Sequence, residues 1–308
     1  MKGTKIVTSK ARTGVYAAAA TPFTEAGSVD LSKLTEHCQR LIDQGLDGVA
    51  PLGTTGEGNS VSHAERLVVP EAFAKAGLES SRVIFGTGVC APVDTVALTR
   101  ACLDAGFSNV LVLPPFYYKS VSDDGLYDHF ARVIDAVGSE QLRLYLYHFP
   151  QMSQTPISTG LIARLKAAFG PAIAGLKDSS GDYASTLRFA SCAEDFDVFP
   201  SNEAVLVDAL DKGCRGVISA TTNTSAPLAR RVLEASEAEQ EHLQILLAQV
   251  RETISRFPLV AAVKATIALQ TDDAQWQRVS PPLRRLDRDA YADLKASLSG
   301  LPSEAGIL

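Results

Sequence analysis

The sequence has few cysteines, and their spacing does not suit a disulfide framework or a zinc site. The 308-residue chain contains five of them, with no CxxC pair: Cys38, Cys90, Cys102, Cys192 and Cys214. Disulfide-rich domains and structural zinc sites need even numbers or close pairs of cysteines. We therefore expect reduced thiols that pack as small apolar side chains. We also expect no metal or other cofactor, because no His/Asp/Glu cluster has the spacing of metal ligands.

The sequence also lacks an excess of basic residues and any long apolar run. Its formal net charge is −6, whereas nucleic-acid binders present a basic face. No stretch approaches the ~20 apolar residues of a membrane span, and no apolar stretch of signal-peptide length follows the N-terminal MKGTKIVTSKARTG. With 46% hydrophobic and 21% charged residues, the composition is that of an ordinary globular protein. We expect a cytoplasmic protein that binds neither nucleic acid nor membrane.

What the sequence does contain is a repeated alternation of short apolar runs and helix-like segments. Eight such runs occur, at 15–20, 47–52, 82–88, 109–115, 142–148, 173–177, 196–201 and 215–220. Apolar strands that alternate with helices predict a parallel sheet covered on both faces. Eight units in about 230 residues fit a (β/α)8 TIM barrel. A doubly wound open sheet is the alternative, although no GxGxxG motif follows any run, which removes its usual dinucleotide-binding version.

The strand-like runs stop after about residue 235. Three segments there have helical patterning, namely EASEAEQEHLQILLAQVRETISRF, PLVAAVKATIALQ and DRDAYADLKASLS. The first two are separated at Phe257-Pro258, and proline is well tolerated at the first position of a helix. We therefore predict a barrel over residues 1–235 and a small C-terminal helical domain over 236–308. The pattern leaves open whether these helices pack on the barrel or on another subunit.

Active sites of such barrels lie at the carboxyl ends of the strands, so polar residues that follow the apolar runs are candidates. The segments there are GTTGEG (53–58), PPFYYK (114–119), YLYHFP (145–150), PSNE (200–203) and SATTN (219–223). In GTTGEG, backbone amides beside Gly53 and the hydroxyls of Thr54 and Thr55 suit a carboxylate or a phosphate. An ordinary polar loop is the commoner explanation of such a segment read alone.

Lys177 ends the apolar run IAGLK, where a cation is costly to bury without a partner. It either forms a salt bridge at the barrel rim or serves as an amine that attacks a carbonyl. The alternation of strand residues supports the second role, because it places Tyr147 one strand away if that side chain points inward. Adjacent strands lie about 4.8 Å apart, and a phenol held there could shuttle protons.

Three motifs together give the chain a specific resemblance: GTTGE, the Tyr-x-x-Pro of residues 147–150, and GLKDSSGD. The combination resembles the dihydrodipicolinate synthase / N-acetylneuraminate lyase family, and the similarity extends from TPF (21–23) to VSPPL near the C-terminus. The resemblance implies a Schiff-base-forming (β/α)8 barrel without a cofactor. It also implies pyruvate or another 2-oxo acid and an aldehyde as small-molecule partners, in a homotetramer built as a dimer of dimers.

The resemblance also implies roles for particular residues. Lys177 would form the imine with C2 of the oxo acid, and Tyr147 would relay protons to and from the adduct. Thr54 and Thr55 would hold the carboxylate and join the relay. Tyr118 of PPFYY resembles the tyrosine that reaches into a neighbouring subunit's site, although a packed loop aromatic is the alternative.

The residues around the second substrate indicate which branch of the family the chain resembles. Dihydrodipicolinate synthases carry an arginine two positions after the proline of Tyr-x-x-Pro, where this chain has Met152. Methionine cannot replace a bidentate carboxylate clamp. The residue after Tyr147 is usually asparagine, whereas here it is His148, which we expect to face away from the barrel axis.

Other positions resemble the sugar-acid lyase branch of the family more than the dihydrodipicolinate synthases. They predict a hydroxyl-binding wall made of Ser153, Ser179, Asn202, Glu203 and Thr222, and Ser219 is a further candidate substrate contact. Glu203 could equally be an acidic residue at the start of the next helix. The main hypothesis is cleavage of a 2-keto-3-deoxy sugar acid to pyruvate and an aldehyde.

Three alternatives remain open. The first is 4-hydroxy-tetrahydrodipicolinate synthase (pyruvate plus aspartate semialdehyde), with another residue in place of the missing arginine. The second is a dehydratase that uses the same imine and expels water. The third is a non-catalytic sensor of oxo acids, which would not need a reactive amine beside a proton carrier.

Overall fold

The computed structural model describes residues 13–308, and eight short strands form the centre of this part of the chain. They are β1 Gly14–Ala17, β2 Gly48–Val49, β3 Phe85–Gly86, β4 Asn109–Val112, β5 Arg143–His148, β6 Ile173–Asp178, β7 Asp197–Pro200 and β8 Gly216–Ser219. Each predicted apolar run therefore overlaps a strand. Most strands lie within their runs, but β1 begins one residue before its run and β6 ends one residue after its run.

The strands close into a barrel. They pair in parallel in the orders β2-β1-β8 and β3-β4-β5-β6-β7. At one junction Val49 forms a parallel bridge with Val83. At the other junction, the amide of Arg215 donates to the carbonyl of Val198 at 2.8 Å. The (β/α)8 barrel predicted from the sequence is thus confirmed, and the open sheet is excluded.

Helices cover the outside of the barrel and form the C-terminal part. Within residues 13–308 they are α1 Leu31–Asp43, α2 His63–Lys75, α3 Pro92–Asp104, α4 Asp123–Val137, α5 Pro150–Ser153, α6 Thr159–Phe169, α7 Tyr183–Ala190, α8 Leu206–Asp211, α9 Thr222–Glu234, α10 Glu237–Ser255, α11 Leu259–Thr271 and α12 Arg288–Ser299. Short 3-10 turns lie at Ser80–Arg82, Gly170–Ala172, Glu203–Val205, Ala274–Gln277 and Ser303–Ala305. No helix in this part of the chain is both long and apolar enough to cross a bilayer.

Helix α1 illustrates how the sequence sets these elements. The side chain of Asp30 accepts a hydrogen bond from the amide of Lys33 and so caps the first turn. Leu34, Cys38 and Leu41 then recur at helical spacing and are buried against the barrel. The helix ends at Asp43.

The strands alternate between two apolar layers. Tyr16, Tyr145 and Phe199 belong to the cluster that fills the barrel interior, where their rings meet edge to face at centroid distances of 5.7 and 6.0 Å. Val15 and Leu144, their chain neighbours, belong instead to the layer beneath the helices. This filled interior is typical of the fold and leaves room for chemistry only at the ends of the strands.

The three predicted C-terminal helices are present, and they pack on the barrel of the same chain. The side-chain amide of Gln244 on α10 donates to the carbonyls of Glu203 and Ala204 at 3.0 and 3.2 Å. Helix α11 is buried throughout Ala261–Ala268. Pro258 caps α11 and lies just before its first residue. The division of the chain at residue 235 stays a prediction.

Candidate active site

Lys177 and Tyr147 meet at the carboxyl ends of β6 and β5. They are directly paired in the strand register, and both are nearly buried, with 3% and 4% of their surface exposed. Lys177 Nζ lies 4.7 Å from the centroid of the Tyr147 ring. Among the residues described, no carboxylate pairs with Lys177 Nζ. A rim salt bridge therefore does not explain this lysine.

The phenol of Tyr147 is linked to the GTTGEG loop. Its hydroxyl lies 3.2 Å from Thr54 Oγ1, and either oxygen can donate the hydrogen bond. Thr54 follows β2, so side chains from widely separated parts of the sequence converge at one end of the barrel. Thr55 is buried beside it and lines the same cavity. The amine of Lys177, the phenol of Tyr147 and the hydroxyls of the two threonines thus lie together at one end of the barrel.

The GTTGEG loop packs closely on its own backbone. A Cβ atom at Gly58 would lie 2.0 Å from the carbonyl oxygen of Leu52, which has a positive φ of 61°. A Cβ at Gly56 would lie 2.8 Å from the carbonyl oxygen of Ala19. Backbone atoms cannot yield as a flexible side chain can, so both positions require glycine. The close packing fixes the direction of the loop threonines.

Glu57, in the same loop, forms an ion pair that the sequence reasoning missed. Its carboxylate accepts from Lys264 Nζ of α11 at 2.6 Å and from the amide of Ser280 at 2.6 Å. Both charged side chains are fully buried. Burial lowers the pKa of Lys264, and the adjacent Glu57 opposes this effect. A lysine within the apolar sequence of α11 could have indicated this ion pair, just as a lysine at the end of an apolar run drew attention to Lys177.

A cavity of about 380 Å³ opens above these residues. Five predicted site residues line it, namely Thr54, Thr55, Tyr147, Lys177 and Ser179. Its other lining residues were not predicted as ligand contacts, and they are Phe149, Met152, Ser201, Ile218, Ala220, Arg251, Pro258, Leu259, Val260, Ala261, Leu283 and Arg284. Two wider surface clefts, of about 650 and 700 Å³, contain none of the predicted site residues.

Ser153 and Asn202 do not line this cavity, which corrects the predicted hydroxyl-binding wall. Ser153 is fully buried, and its hydroxyl donates to the carbonyl of Phe149 at 3.0 Å. The side-chain oxygen of Asn202 accepts from the amide of Ala204 at 2.9 Å. Both side chains are therefore engaged by their own turns. Thr222 is buried as well and donates to the carbonyl of Tyr16 at 3.0 Å.

Glu203 and Ser219 are also absent from the cavity wall. Glu203 is fully buried and accepts hydrogen bonds from the hydroxyls of Ser219 and Thr221. Arg251 Nη1 of α10 donates to Glu203 Oε2 at 2.9 Å. A buried carboxylate needs such a cation and donors. Glu203 therefore holds Arg251, and Arg251 is the member of this cluster that borders the cavity.

Tyr118 and Gly53 also do not line the cavity above Lys177 and Tyr147. Tyr118 is 72% exposed and meets the ring of Tyr117 edge to face at 5.3 Å. The carbonyl of Gly53 accepts from the amide of Gly58 at 3.0 Å, which closes the loop. Within one chain, Tyr118 does not lie beside Lys177, so its predicted role would require the site of a neighbouring subunit.

His148 and Met152 lie on opposite sides of the segment that follows Tyr147. His148 Nδ1 accepts from the amide of Ile157 at 3.0 Å, and its ring packs on Phe189 of α7. It thus faces the helix layer, where burial lowers its pKa and Asp178 opposes the shift. Met152 is 59% exposed and borders the cavity, so no cation occupies this position.

The chain as a whole is similar to one family of proteins. The model of the dihydrodipicolinate synthetase family matches residues 11–301. An uncharacterized DapA-like lyase of Chloroflexus aurantiacus is 36% identical over 287 residues, which cover 92% of this chain and 95% of the relative. The crystal structure of dihydrodipicolinate synthase from Agrobacterium tumefaciens has a TM-score of 0.86 at 31% identity and covers 94% of this chain and 99% of that chain. A prophage protein of E. coli K12, crystallised in complex with pyruvate, has a TM-score of 0.86 at 25% identity, with 96% and 99% covered.

Proposed function

This chain belongs to the dihydrodipicolinate synthetase family and is a lyase or aldolase of class I, and we propose that Lys177 forms the imine with a 2-oxo acid, pyruvate being the simplest. One observation carries the proposal. The buried amine of Lys177 lies beside the Tyr147 ring, with no carboxylate partner among the residues described. The related E. coli protein in complex with pyruvate supports the choice of ligand.

Imine formation is the first step. The neutral amine of Lys177 attacks C2 of the oxo acid, and the carbonyl oxygen takes up protons and leaves as water. Tyr147 is the group in reach that gives and receives these protons, and its contact with Thr54 passes a proton on. The loop amides and Thr55 hold the carboxylate of the oxo acid.

Cleavage of the C3–C4 bond follows from the imine. The positively charged imine nitrogen accepts the electron pair of that bond, while Tyr147 removes the proton from the C4 hydroxyl. An aldehyde leaves, and an enamine remains on Lys177. Protonation at C3 and hydrolysis by water then release pyruvate and restore the amine. The reverse sequence joins pyruvate and the aldehyde, so the same site serves an aldolase or a lyase.

The predicted sugar acid receives limited support as the substrate. Of the five residues in the predicted hydroxyl-binding wall, Ser179 alone borders the cavity, where Ser201 adds a second hydroxyl. The carboxylate clamp of a dihydrodipicolinate synthase also has no counterpart at Met152. We therefore propose that the enzyme cleaves or forms a carbon–carbon bond at a pyruvate imine.

Deuterium exchange into pyruvate tests this function without knowledge of the aldehyde. An enamine on Lys177 takes up solvent deuterium at C3, and proton NMR follows the loss of the pyruvate methyl signal in D2O. We expect exchange by the wild type, none above buffer for Lys177→Met, and a loss of about 10²- to 10⁴-fold for Tyr147→Phe. Lys295→Met, which changes an exposed lysine of α12, should exchange like the wild type. Absence of exchange in the wild type with every 2-oxo acid tested would favour a non-catalytic sensor.

A further inference from the structure

The part of the cavity beyond the imine group is mainly apolar. Phe149 and Met152 reach it from the segment after β5, and Leu283 reaches it from the loop before α12. Residues 258–261, at the beginning of α11, complete this wall with proline, leucine, valine and alanine. The wall thus combines parts of the barrel and of the C-terminal helices, and it belongs to the same cavity as Lys177.

The polar groups in this part of the cavity are few. Ser179 and Ser201 supply the hydroxyls. Arg251 is held by Glu203 at 2.9 Å, so a carboxylate already compensates its charge. Arg284 lies on an exposed loop segment at the mouth. A polyhydroxylated chain would find few polar partners on this wall, whereas an apolar group would cover the exposed side chains of Met152 and Leu283.

The size of the cavity sets a limit on the second substrate. Its volume of about 380 Å³ lies near the small end of the range for ligand sites. A dry apolar cavity of ~150 Å³ is large enough to hold benzene. The cavity therefore has room for a pyruvyl group on Lys177 and one group the size of an aromatic ring.

We propose that the second substrate is an apolar aldehyde whose side group is about the size of a single aromatic ring. The inference rests on the proposed function, because the aldehyde reacts with the enamine on Lys177. C3 of the enamine attacks the aldehyde carbon, and the carbonyl electron pair moves to the oxygen, which takes a proton from Tyr147. Hydrolysis of the imine by water then releases a 4-hydroxy-2-oxo acid that carries the apolar group on C4. The reverse reaction yields pyruvate and the same aldehyde.

A matched set of aldehydes tests the assignment. Benzaldehyde, 2-methylpropanal, glyceraldehyde and aspartate semialdehyde are each incubated with pyruvate, and products are quantified by liquid chromatography and mass spectrometry. We expect kcat/KM for benzaldehyde to exceed that for glyceraldehyde by at least about tenfold, since one apolar group in a fitted pocket changes kcat/KM by ~10- to 200-fold. Equal or faster turnover of glyceraldehyde or aspartate semialdehyde, or no turnover of either apolar aldehyde, would overturn the assignment.

Variants of the apolar wall locate the effect. Met152→Ser and Leu283→Ser should each lower kcat/KM for benzaldehyde by about tenfold, with the loss confined to the aldehyde reaction and absent from pyruvate deuterium exchange. Ile245→Ser is the matched control, because Ile245 is a half-exposed residue of α10 outside this cavity. Unchanged turnover in both wall variants, or an equal loss of exchange, would overturn the inference. If the wild type exchanges pyruvate but prefers glyceraldehyde, the acceptor is wrong and the imine chemistry stands; without any exchange, the proposed function itself fails.

Discussion

Lys177 and Lys264 are both lysines buried in apolar surroundings, but their neighbours give them different roles. Lys264 contacts the carboxylate of Glu57 at 2.6 Å, which makes it a structural cation. Lys177 faces the ring of Tyr147 and has no carboxylate partner in the described part of the chain. We therefore propose that, at the residue scale, the partner of a buried amine separates a nucleophile, Lys177, from a member of an ion pair, Lys264.

The contact between Thr54 and Tyr147 leads to a first prediction. If Thr54 passes protons to and from the phenol, Thr54→Val should slow pyruvate deuterium exchange by about tenfold, the equivalent of one hydrogen bond of ~1.4 kcal/mol. Thr54→Ser keeps the hydroxyl and serves as the control, with exchange close to that of the wild type. Equal rates for the valine and serine variants would remove Thr54 from the relay.

His37 leads to a prediction about the pH dependence of stability. Its Nε2 lies 2.9 Å from Asn223 Oδ1, and Arg40 donates to its Nδ1 at 2.9 Å. Burial and the adjacent Arg40 lower its pKa from 6.5 to about 3. The unfolded chain therefore binds more protons between these values, so stability falls as the pH drops below 6.5. We expect about 2 kcal/mol less unfolding free energy at pH 5 than at pH 7 from this residue.

Urea unfolding at pH 7 and pH 5 measures this effect. His37→Gln should reduce the difference between the two pH values by about 2 kcal/mol, because glutamine does not titrate. A remainder should persist, because burial also lowers the pKa values of His129 and His148. His63→Gln, which changes an exposed histidine at the start of α2, should retain the difference. The same pH dependence in the wild type and in His37→Gln would contradict the assignment to His37.

At the scale of elements, the GTTGEG loop and α11 form one unit through the Glu57–Lys264 pair. Lys264→Met leaves the Glu57 carboxylate buried without its cation, and this should lower the unfolding free energy by about 3–5 kcal/mol. Adding Glu57→Gln removes the unmatched charge and should recover part of the loss. Differential scanning calorimetry of the single and double variants measures both effects.

A second ion pair between the barrel and the C-terminal part provides the matched control. Lys33 of α1 contacts Asp273 at 2.5 Å, but the two side chains remain 24% and 34% exposed. Lys33→Met should therefore cost at most about 1 kcal/mol. A similar loss in the Lys33 and Lys264 variants would show that burial does not set the strength of the Glu57 pair.

The sequence predicts the elements better than the contacts between them. Hydrophobic patterning locates every strand, because this pattern depends on residues that are neighbours in the sequence. Patterning cannot show that Glu57 meets Lys264, or that Glu203 turns towards Arg251, because these pairs are distant in sequence. The predicted hydroxyl-binding wall failed for this reason, since strand ends alone do not determine where side chains point.

At the scale of the whole molecule, the repeated strand–helix pattern was sufficient to predict the barrel. The register of β5 with β6 then brings Tyr147 beside Lys177, as the spacing of adjacent strands suggested. The family motifs added the chemistry that the pattern does not contain. The apolar part of the cavity wall could not be predicted from the sequence, because it combines the loop after β5, α11 and the segment before α12.

The exposed aromatic pair leads to a prediction about assembly. Tyr117 and Tyr118 are 74% and 72% exposed, and exposed aromatic residues are enriched at interfaces between proteins. We propose a homotetramer in which Tyr118 reaches the site of a neighbouring subunit. Multi-angle light scattering should give four times the chain mass of 32.7 kDa. A mass of one chain at micromolar concentration would contradict the proposal.

Mixed oligomers test whether Tyr118 acts across the interface. Lys177→Met and Tyr118→Phe chains should each exchange pyruvate slowly when alone. Co-expression should restore part of the activity, because some sites then combine a native Lys177 with a native Tyr118 from another chain. Activity that never exceeds the sum of the two separate variants would place Tyr118 outside the neighbouring site.

Borohydride reduction in the presence of pyruvate, followed by peptide mass mapping, tests the central claim most directly. Reduction converts an imine into a stable secondary amine and so marks the lysine that captured the ketone. We predict a reduced pyruvyl adduct on the peptide that contains Lys177 and an unmodified Lys264. An adduct on Lys264 or on a surface lysine alone, or no adduct with any 2-oxo acid, would contradict the account.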